Sequence, residues 1–489
     1  MTTDTSTQTG TVGLYASDAT TEEQRRAFCR SRVPTAVYGL GKMGLPLGAV
    51  FAETAGAVHG VDIDPERVGT LNAGENPFEN EPGLSAVLAD VIEDGRFRAT
   101  TDGEMAASVA RIHVITVPTL VDDAEKPDLS YLRAATRTVA SGLKSGDIVL
   151  VESTVPPGTC RDVVAPILAE AGTETYGLAF CPERIASGSA LRDIRESYPK
   201  IVGGIDAESG RVAELVYGEL TDNEVIRVSD ATTAECVKLF EGVYRDVNIA
   251  LANELGQLTD ELGIDVIEAI DAANTQPYCN IHTPGAGVGG HCIPYYPYFL
   301  FDGLESDARL VRTARSVNEG MPQFVVGRLA EELATVGTSI GDATVALLGV
   351  TYRPGVPETR ESPAIDIADR LRDLGASVLA TDPLLEEPPE MPGEFLSLEA
   401  LESREIDAAI LVTAHEAFEE IDWDAFEAER NGASTGVGAD AVPATDDTRR
   451  DSAERPSGEQ PGIVVIDGRQ ALDLSGTRHR QYTIGKGSE

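Results

Sequence analysis

The chain has 489 residues, 42% of them hydrophobic, and its 81 acidic against 39 basic side chains give a formal charge of −42. That length builds two or three domains with full cores. No window approaches the roughly 18 unbroken apolar residues of a membrane span, and so negative a chain lacks the basic footprint that nucleic acid requires. The acidic residues are spread over every segment and only six lysines occur, the pattern of a protein whose surface must stay hydrated in concentrated salt. The N-terminus lacks a basic start and apolar core, so the expected compartment is the cytoplasm. Six cysteines stand far apart with no CxxC pair, and the six histidines show no ligand spacing, so neither a metal site nor a disulfide framework is expected.

Residues 1–33 read as a polar N-terminal arm. An apolar strand, Thr35 to Leu40, then runs into Gly39-Leu40-Gly41-Lys42-Met43-Gly44 and a helical pattern. A second strand ends at Asp62, eighteen residues beyond Gly44. This order of strand, GxGxxG, helix, strand and acid is the dinucleotide signature: the glycines admit the pyrophosphate to the helix N-terminus, and the acid takes the ribose diol. An acid in that place favours NAD over NADP, with Arg67 close enough to leave the second open. Further buried parallel strands are expected at 111–117, 147–153, 176–182 and 200–204, the rhythm of a doubly wound sheet. Their exits carry Val117-Pro118-Thr119, Glu152-Ser153-Thr154 and Cys181-Pro182-Glu183-Arg184. Ligands of such sheets lie beyond the strands' carboxyl ends, although each of these residues taken alone could be an ordinary turn residue.

From Thr232 apolar residues recur at helical spacing for about thirty positions, the length of a helix that links domains and pairs with a second copy. Lys238 lies within it. The loop Pro284 to Pro297, PGAGVGGHCIPYYP, then presents Cys292 after a run of glycines. A thiol so placed can attack a carbonyl if a neighbour holds it as thiolate, and a buried structural cysteine is the plain alternative. Strands expected at 344–350, 377–382, 407–413 and 463–467 repeat the strand-helix rhythm without GxGxxG, a smaller Rossmann-like domain for a different nucleotide. Between 427 and 459 the composition shifts to Gly, Ala, Ser, Thr, Asp and Arg, read as a disordered insertion. The fold class is thus α/β: two Rossmann-like doubly wound domains joined by a long central helix. The expected boundaries are 34–222 for the NAD-binding domain, 223–322 for a central helical and dimerisation domain, and 323–483 for the second nucleotide domain.

The motifs GLGKMG, VPT, ESTVPPGT, CPERIASG, AECVKLFEGVYRDVNIALANE, PGAGVGGHCIP and TRESPA, in that order over about residues 34–483, resemble the UDP-glucose and GDP-mannose 6-dehydrogenase family. GGHCIP and CPER are most similar to its members acting on UDP-N-acetylmannosamine and UDP-N-acetylglucosamine. The resemblance implies a four-electron oxidation of a sugar C6 hydroxyl to the acid, with two NAD per sugar and a cysteine-bound aldehyde and thioester on the way. It implies Cys292 as nucleophile, Lys238 as oxyanion stabiliser, and Glu183 and Thr154 for water and protons. It places Gly39, Gly41, Gly44, Asp62, Arg67, Thr119 and Arg360 on NAD, and Arg184, Arg353, Gly287, Gly289 and Gly290 on the UDP-sugar, in a homodimer or higher oligomer.

The sequence departs from the family pattern at two places. Four residues after the cysteine the family has aspartate and this chain has Tyr296; four residues after the lysine the family has asparagine and this chain has Gly242. Tyr296 could donate a hydrogen bond, and Glu241 or a water could fill the space beside Gly242, so the pair reads as compensating. The competing expectations are a UDP-glucose 6-dehydrogenase and a sugar-nucleotide-binding relative without turnover.

Overall fold

The computed structural model describes residues 12–78, 81–122, 124–186, 188–386, 390–423 and 462–488, and the insertion expected at 427–459 falls outside them. Two compact units emerge, Met1–Val243 with Tyr295–Ala308, and Tyr244–Pro294 with Arg309–Glu489. The stretch 223–322, expected as a central domain, is therefore shared between the two units.

In the first unit the strands are β1 (Thr35–Tyr38), β2 (Val58–Val61), β3 (Phe97–Thr100), β4 (Ile112–Ile115), a small hairpin of β5 (Leu120–Val121) and β6 (Pro127–Asp128), then β7 (Ile148–Val151), β8 (Gly177–Phe180), β9 (Lys200–Gly204) and β10 (Val225–Arg227). The main sheet runs β10-β9-β8-β7-β4-β1-β2-β3. In β1, β4, β7 and β8 every residue is buried, as the mostly apolar runs TAVY, IHVI, IVLV and GLAF, with only Thr35 and His113 polar, demand of strands covered on both faces. The order reverses between β1 and β4, which opens a crevice at their carboxyl ends. One expected parallel strand is not parallel: β9 pairs antiparallel with β8. The link between them is a loop and two short helical turns that stay at one end of the sheet, and a parallel return would need a full crossover. The strands β3 and β10 escape sequence reading because each is short and partly exposed.

The expected N-terminal arm is, over its described part, a docked element. A capping box of Thr20 and Glu23 starts the helix Thr21–Phe28. Leu14 and Phe28 are fully buried in the main core of this unit, and burying each stabilises by roughly 2 kcal/mol. The Tyr15 amide donates to Gly146 O at 3.1 Å.

The second unit holds β11 (Thr344–Leu348), β12 (Ser377–Thr381), β13 (Glu394–Phe395), β14 (Ala408–Leu411), β15 (Val464–Asp467), β16 (Arg480–Thr483) and β17 (Gly487–Ser488), ordered β13-β12-β11-β14-β15-β16-β17. All pairs are parallel except β16 with β17. The expected long helix is Ala231–Gln257, 27 residues that begin in the first unit and end in the second. No helix among the described residues is long and apolar enough to cross a membrane.

Candidate active site

Three loops at the carboxyl ends of β1, β2 and β4 build a nucleotide cradle in the first unit. Gly39 has φ +97°, and a Cβ there would stand 2.5 Å from Thr116 O. At Gly44 a Cβ would stand 2.0 Å from Gly39 O, so only glycine lets the helix Gly44–Ala55 start this close to the strand. Gly41 differs: nothing lies within 4 Å of where its Cβ would be. No side chain caps the helix, and its early amides at Leu45 and Leu47 donate to Gly41 O at 3.0 Å and Met43 O at 3.4 Å, so the glycine turn itself is the surface a ligand would approach. Asp62, 7% exposed at the end of β2, accepts from the Leu40 amide at 2.8 Å and from Asp64 at 3.0 Å. Arg67, the residue that left NADP open, is held by Asp62 at 3.0 Å and Asp64 at 3.5 Å. Open space beside Gly41, a helix N-terminus without a side-chain cap and an acid at the second strand fit a dinucleotide with an unmodified ribose. Thr119 follows β4, half-buried, directly before β5.

Beside this cradle lie the exits of β7 and β8. Glu235 of the long helix binds the amides of Gly158 and Cys160 with its two carboxylate oxygens, which fixes the turn that begins at the half-buried Thr154. One helical turn on, the Lys238 ammonium donates to Glu183 O and lies 3.6 Å from Glu183 Oε2. The Glu183 carboxylate also accepts the Ile185 amide. Under this loop the antiparallel β9 brings Lys200 to Pro182 O at 3.2 Å and to Glu152 Oε2 at 2.9 Å. Tyr217 donates to the other Glu152 oxygen. Burial pushes the Glu152 carboxyl up while Lys200 and Tyr217 pull it down, a closed network that anchors the loop from below.

Arg184 makes a two-point ion pair with Glu241, at 2.7 and 3.2 Å, and stacks on Tyr198 at 4.9 Å. Glu241 is therefore engaged by Arg184, and the space beside Gly242 is filled by Tyr296: a Cβ on Gly242 would stand 1.9 Å from Tyr296 Cδ2. The two departures from the family pattern meet face to face. Lys200 and Tyr217 have no motif of their own, whereas Glu235 and Glu241 lie in the motif AECVKLFEGVYRDVNIALANE, each three residues from Lys238 on its helix, a spacing that could have marked Glu235.

The second unit carries Cys292, exposed on its loop. Its neighbour His291 is raised in proton affinity first by a hydrogen bond with Cys292, against the opposing effect of burial, with Glu358 assisting at 3.9 Å. A histidine hydrogen-bonded to a sulfur is the kind of partner that favours the thiolate. The loop glycines approach protein: a Cβ would meet Pro363 at 2.9 Å from Gly287, Glu361 O at 2.7 Å from Gly289, and Tyr352 at 2.9 Å from Gly290. The Gly290 amide donates to Arg360 O at 2.9 Å, while Arg353 lies over the Tyr352 ring at 5.9 Å. Cys292, the glycines, Arg353 and Arg360 thus gather in one unit, and Thr154, Glu183, Arg184 and Lys238 in the other. Among the described residues no group of three or more His, Cys, Asp or Glu could hold a metal ion.

A glycine cradle at the switch point of a doubly wound sheet, and a second sheet of the same kind, define a two-domain dinucleotide-binding protein. Comparison with known proteins makes this particular. Residues 33–221 match the NAD binding domain of the UDP-glucose/GDP-mannose dehydrogenase family, 232–320 its central domain and 346–447 its UDP binding domain. The UDP-N-acetyl-D-mannosamine dehydrogenase of Pyrococcus horikoshii is 37% identical over 395 residues, 80% of this chain and 91% of that protein. The NDP-N-acetyl-D-galactosaminuronic acid dehydrogenase of Ralstonia nicotianae is 38% identical over 402 residues, 79% and 92% of the two chains. A solved structure of the UDP-D-ManNAc dehydrogenase of Pyrococcus horikoshii superposes with TM-score 0.79 and 33% identity over 93% of this chain and all of that one. The chain belongs to the UDP-glucose/GDP-mannose dehydrogenase family, whose members are NAD-dependent nucleotide-sugar dehydrogenases.

Proposed function

We propose that the protein oxidises the C6 hydroxyl of a UDP-N-acetylhexosamine, with UDP-N-acetyl-D-mannosamine the first candidate, to the uronic acid. The observation that carries this reading is an exposed Cys292 hydrogen-bonded to its neighbour His291, in a chain 37% identical to a UDP-N-acetyl-D-mannosamine dehydrogenase. NAD, when bound, accepts one hydride in each of two oxidations. To it we assign Gly39, Gly41, Gly44, Asp62, Arg67, Thr119 and Arg360, and to the UDP-sugar Arg184, Arg353, Gly287, Gly289 and Gly290.

In the first oxidation the alcohol loses its proton and a hydride and becomes the aldehyde. The Cys292 thiolate adds to that carbonyl, and the resulting hemithioacetal loses a second hydride to give the thioester. Water, aligned by Glu183 and Thr154, attacks the thioester; the C–S bond breaks, the acid leaves and the thiolate returns. Lys238 offsets the negative charge that develops on the sugar oxygen at each addition. Covalent capture also keeps the aldehyde from escaping.

The domain boundaries expected from the sequence remain our reading: NAD-binding at 34–222, central at 223–322 and UDP-sugar-binding at 323–483. We read the protein as a cytoplasmic homodimer or higher oligomer adapted to salt. Phe240, Tyr244 and Leu251, 57, 52 and 47% exposed on one stripe of the long helix, are the apolar contact such pairing uses.

Three UDP-sugars offered separately with NAD in concentrated salt test the reading: UDP-N-acetylmannosamine, UDP-N-acetylglucosamine and UDP-glucose. Two NADH per molecule of an acetylated sugar is the expected result. Turnover of UDP-glucose alone would refute the substrate, and NAD binding without turnover of any would refute the activity. Cys292→Ser should bind NAD as before and release no acid; acid formation at the original rate would remove the covalent route.

A further inference from the structure

Gly242 and Tyr296 lie far apart in the sequence yet fit each other within the first unit as a notch and its filling. The ring of Tyr296 occupies the place of a side chain at Gly242, with Cδ2, Cε2 and Cγ lying 1.9, 2.8 and 2.9 Å from the position a Cβ would take. Leu239 and Phe299, both buried, pack with the ring, and Tyr295, Leu300 and Val121 close the cluster. Tyr296 begins the short helix Tyr296–Phe301 and is 8% exposed. Packing on these sides confines the ring in the orientation the structure shows.

That orientation turns the ring toward Lys238, whose ammonium lies 5.7 Å from the ring centroid, within the range of a cation–π contact. Lys238 stands one helical turn before Gly242, so the missing side chain clears the path between ring and ammonium. The ammonium is 10% exposed and is otherwise directed by Glu183, through its backbone oxygen and at 3.6 Å through its carboxylate. Both Glu183 contacts pull the lysine toward the loop after β8. The ring adds an electron-rich surface on a different element, which limits how far the four-carbon stem can swing.

We infer that Tyr296, seated in the notch left by Gly242, is a positioning residue that holds the Lys238 ammonium in its working orientation through the ring face. The inference rests on the reading of Lys238 as the group that stabilises the developing oxyanion. The face orients the ammonium beside the Glu183 carboxylate without adding a second counter-charge.

The test uses the full-length enzyme and its best UDP-sugar in a double-mutant cycle. Tyr296→Leu keeps apolar packing against Leu239 and Phe299 and removes the π face; kcat should fall about three- to thirty-fold, with KM for NAD and for sugar moving less than about twofold. Tyr296→Phe restores the face and should recover most of that kcat. In a Lys238→Met background, Tyr296→Leu should cost nothing more, because its effect runs through the lysine. Thermal unfolding of each variant accompanies the kinetics, so that a loss of folded protein is read separately. Tyr296→Leu with parental kcat, or Tyr296→Phe as slow as Tyr296→Leu, overturns the inference: the first makes Tyr296 packing alone, the second moves its role to the hydroxyl. An undiminished effect of Tyr296→Leu in the Lys238→Met background overturns it too. If Lys238→Met alone retains kcat, the failure lies in the reading of Lys238, and the inference falls with it.

Discussion

The turns that follow the central strands of the two sheets share one construction and part at its third position. Gly39, Leu40 and Gly41 follow β1 as Gly349, Val350 and Thr351 follow β11. Gly39 and Gly349 have φ of +97° and +88°, and a Cβ at either would strike a backbone oxygen, Thr116 at 2.5 Å or Thr413 at 2.3 Å. The amides of Leu40 and Val350 each donate at 2.8 Å to an aspartate that ends the neighbouring strand, Asp62 or Asp382. The third position separates them. Gly41 leaves open space, whereas Thr351 gives both its amide, at 2.7 Å, and its hydroxyl, at 2.8 Å, to Asp382, which His415 also meets at 3.1 Å. Sheet topology places a crevice in both units. The side chain at that third position decides whether the turn's donors face a ligand or close upon the protein itself.

The largest effect is expected where the first turn has no slack. Gly44→Ala forces a Cβ to within 2.0 Å of Gly39 O and 2.6 Å of Thr116 Cγ2, and backbone cannot yield as a side chain does. Overpacking of this kind costs about 3 kcal/mol or more, a fall of roughly 5 °C or more in the melting temperature, with NAD affinity lost alongside. Thermal unfolding with a parallel NAD titration checks it; an unchanged melt would mean that helix and strand are not so closely packed.

The closed turn should answer to pH where the open one answers to ligand. Burial alone would push the Asp382 carboxyl up, but hydrogen bonds from His415, Thr351 and Leu384 outweigh it and hold the group at about 2, against an ordinary 3.8. A carboxyl lowered on folding adds stability above its unfolded value and loses it as pH falls from about 4 to about 2, here roughly 2 kcal/mol. Asp382→Asn should therefore lower the unfolding free energy read from urea titration at neutral pH by about that amount, and the gap between variant and parent should close toward pH 2. A gap that stays constant with pH would show that the carboxylate's charge is not what the turn depends on.

The open turn was legible in the sequence because its parts are local: three glycines, a helix and an acid at fixed spacing each have one mechanical reason to be there. The closed turn has the same first glycine, yet its closure depends on Asp382 and His415, which only the sheet brings to Thr351. Lys200 was visible as one of six lysines, but its place under Pro182 follows from β9 running antiparallel, a direction that strand periodicity does not encode. Tyr296 and Gly242 were each legible as a departure. Their contact was not, since no local pattern joins the first turn of one helix to the middle of another. The N-terminal segment misled by its polar composition: Leu14 and Phe28 are few, but both are buried completely.

The smallest effect bears most directly on the contrast between the turns. Gly41→Ala adds one methyl group to a place where nothing lies within 4 Å, so the folded protein has no reason to resist it. The backbone there does not require a positive φ, so no strain follows either. Thermal unfolding should stay within about 1 °C of the parent, since exposed changes away from special features rarely exceed ~0.5 kcal/mol. The methyl group would instead stand where the pyrophosphate must approach the turn, and a shift of that contact by a fraction of an ångström should weaken NAD about tenfold. The two readouts must separate: stability kept and cofactor lost. If Gly41→Ala binds NAD as the parent does, the open space is not the approach path, and the difference between Gly41 and Thr351 would no longer explain why only the first turn carries the dinucleotide signature.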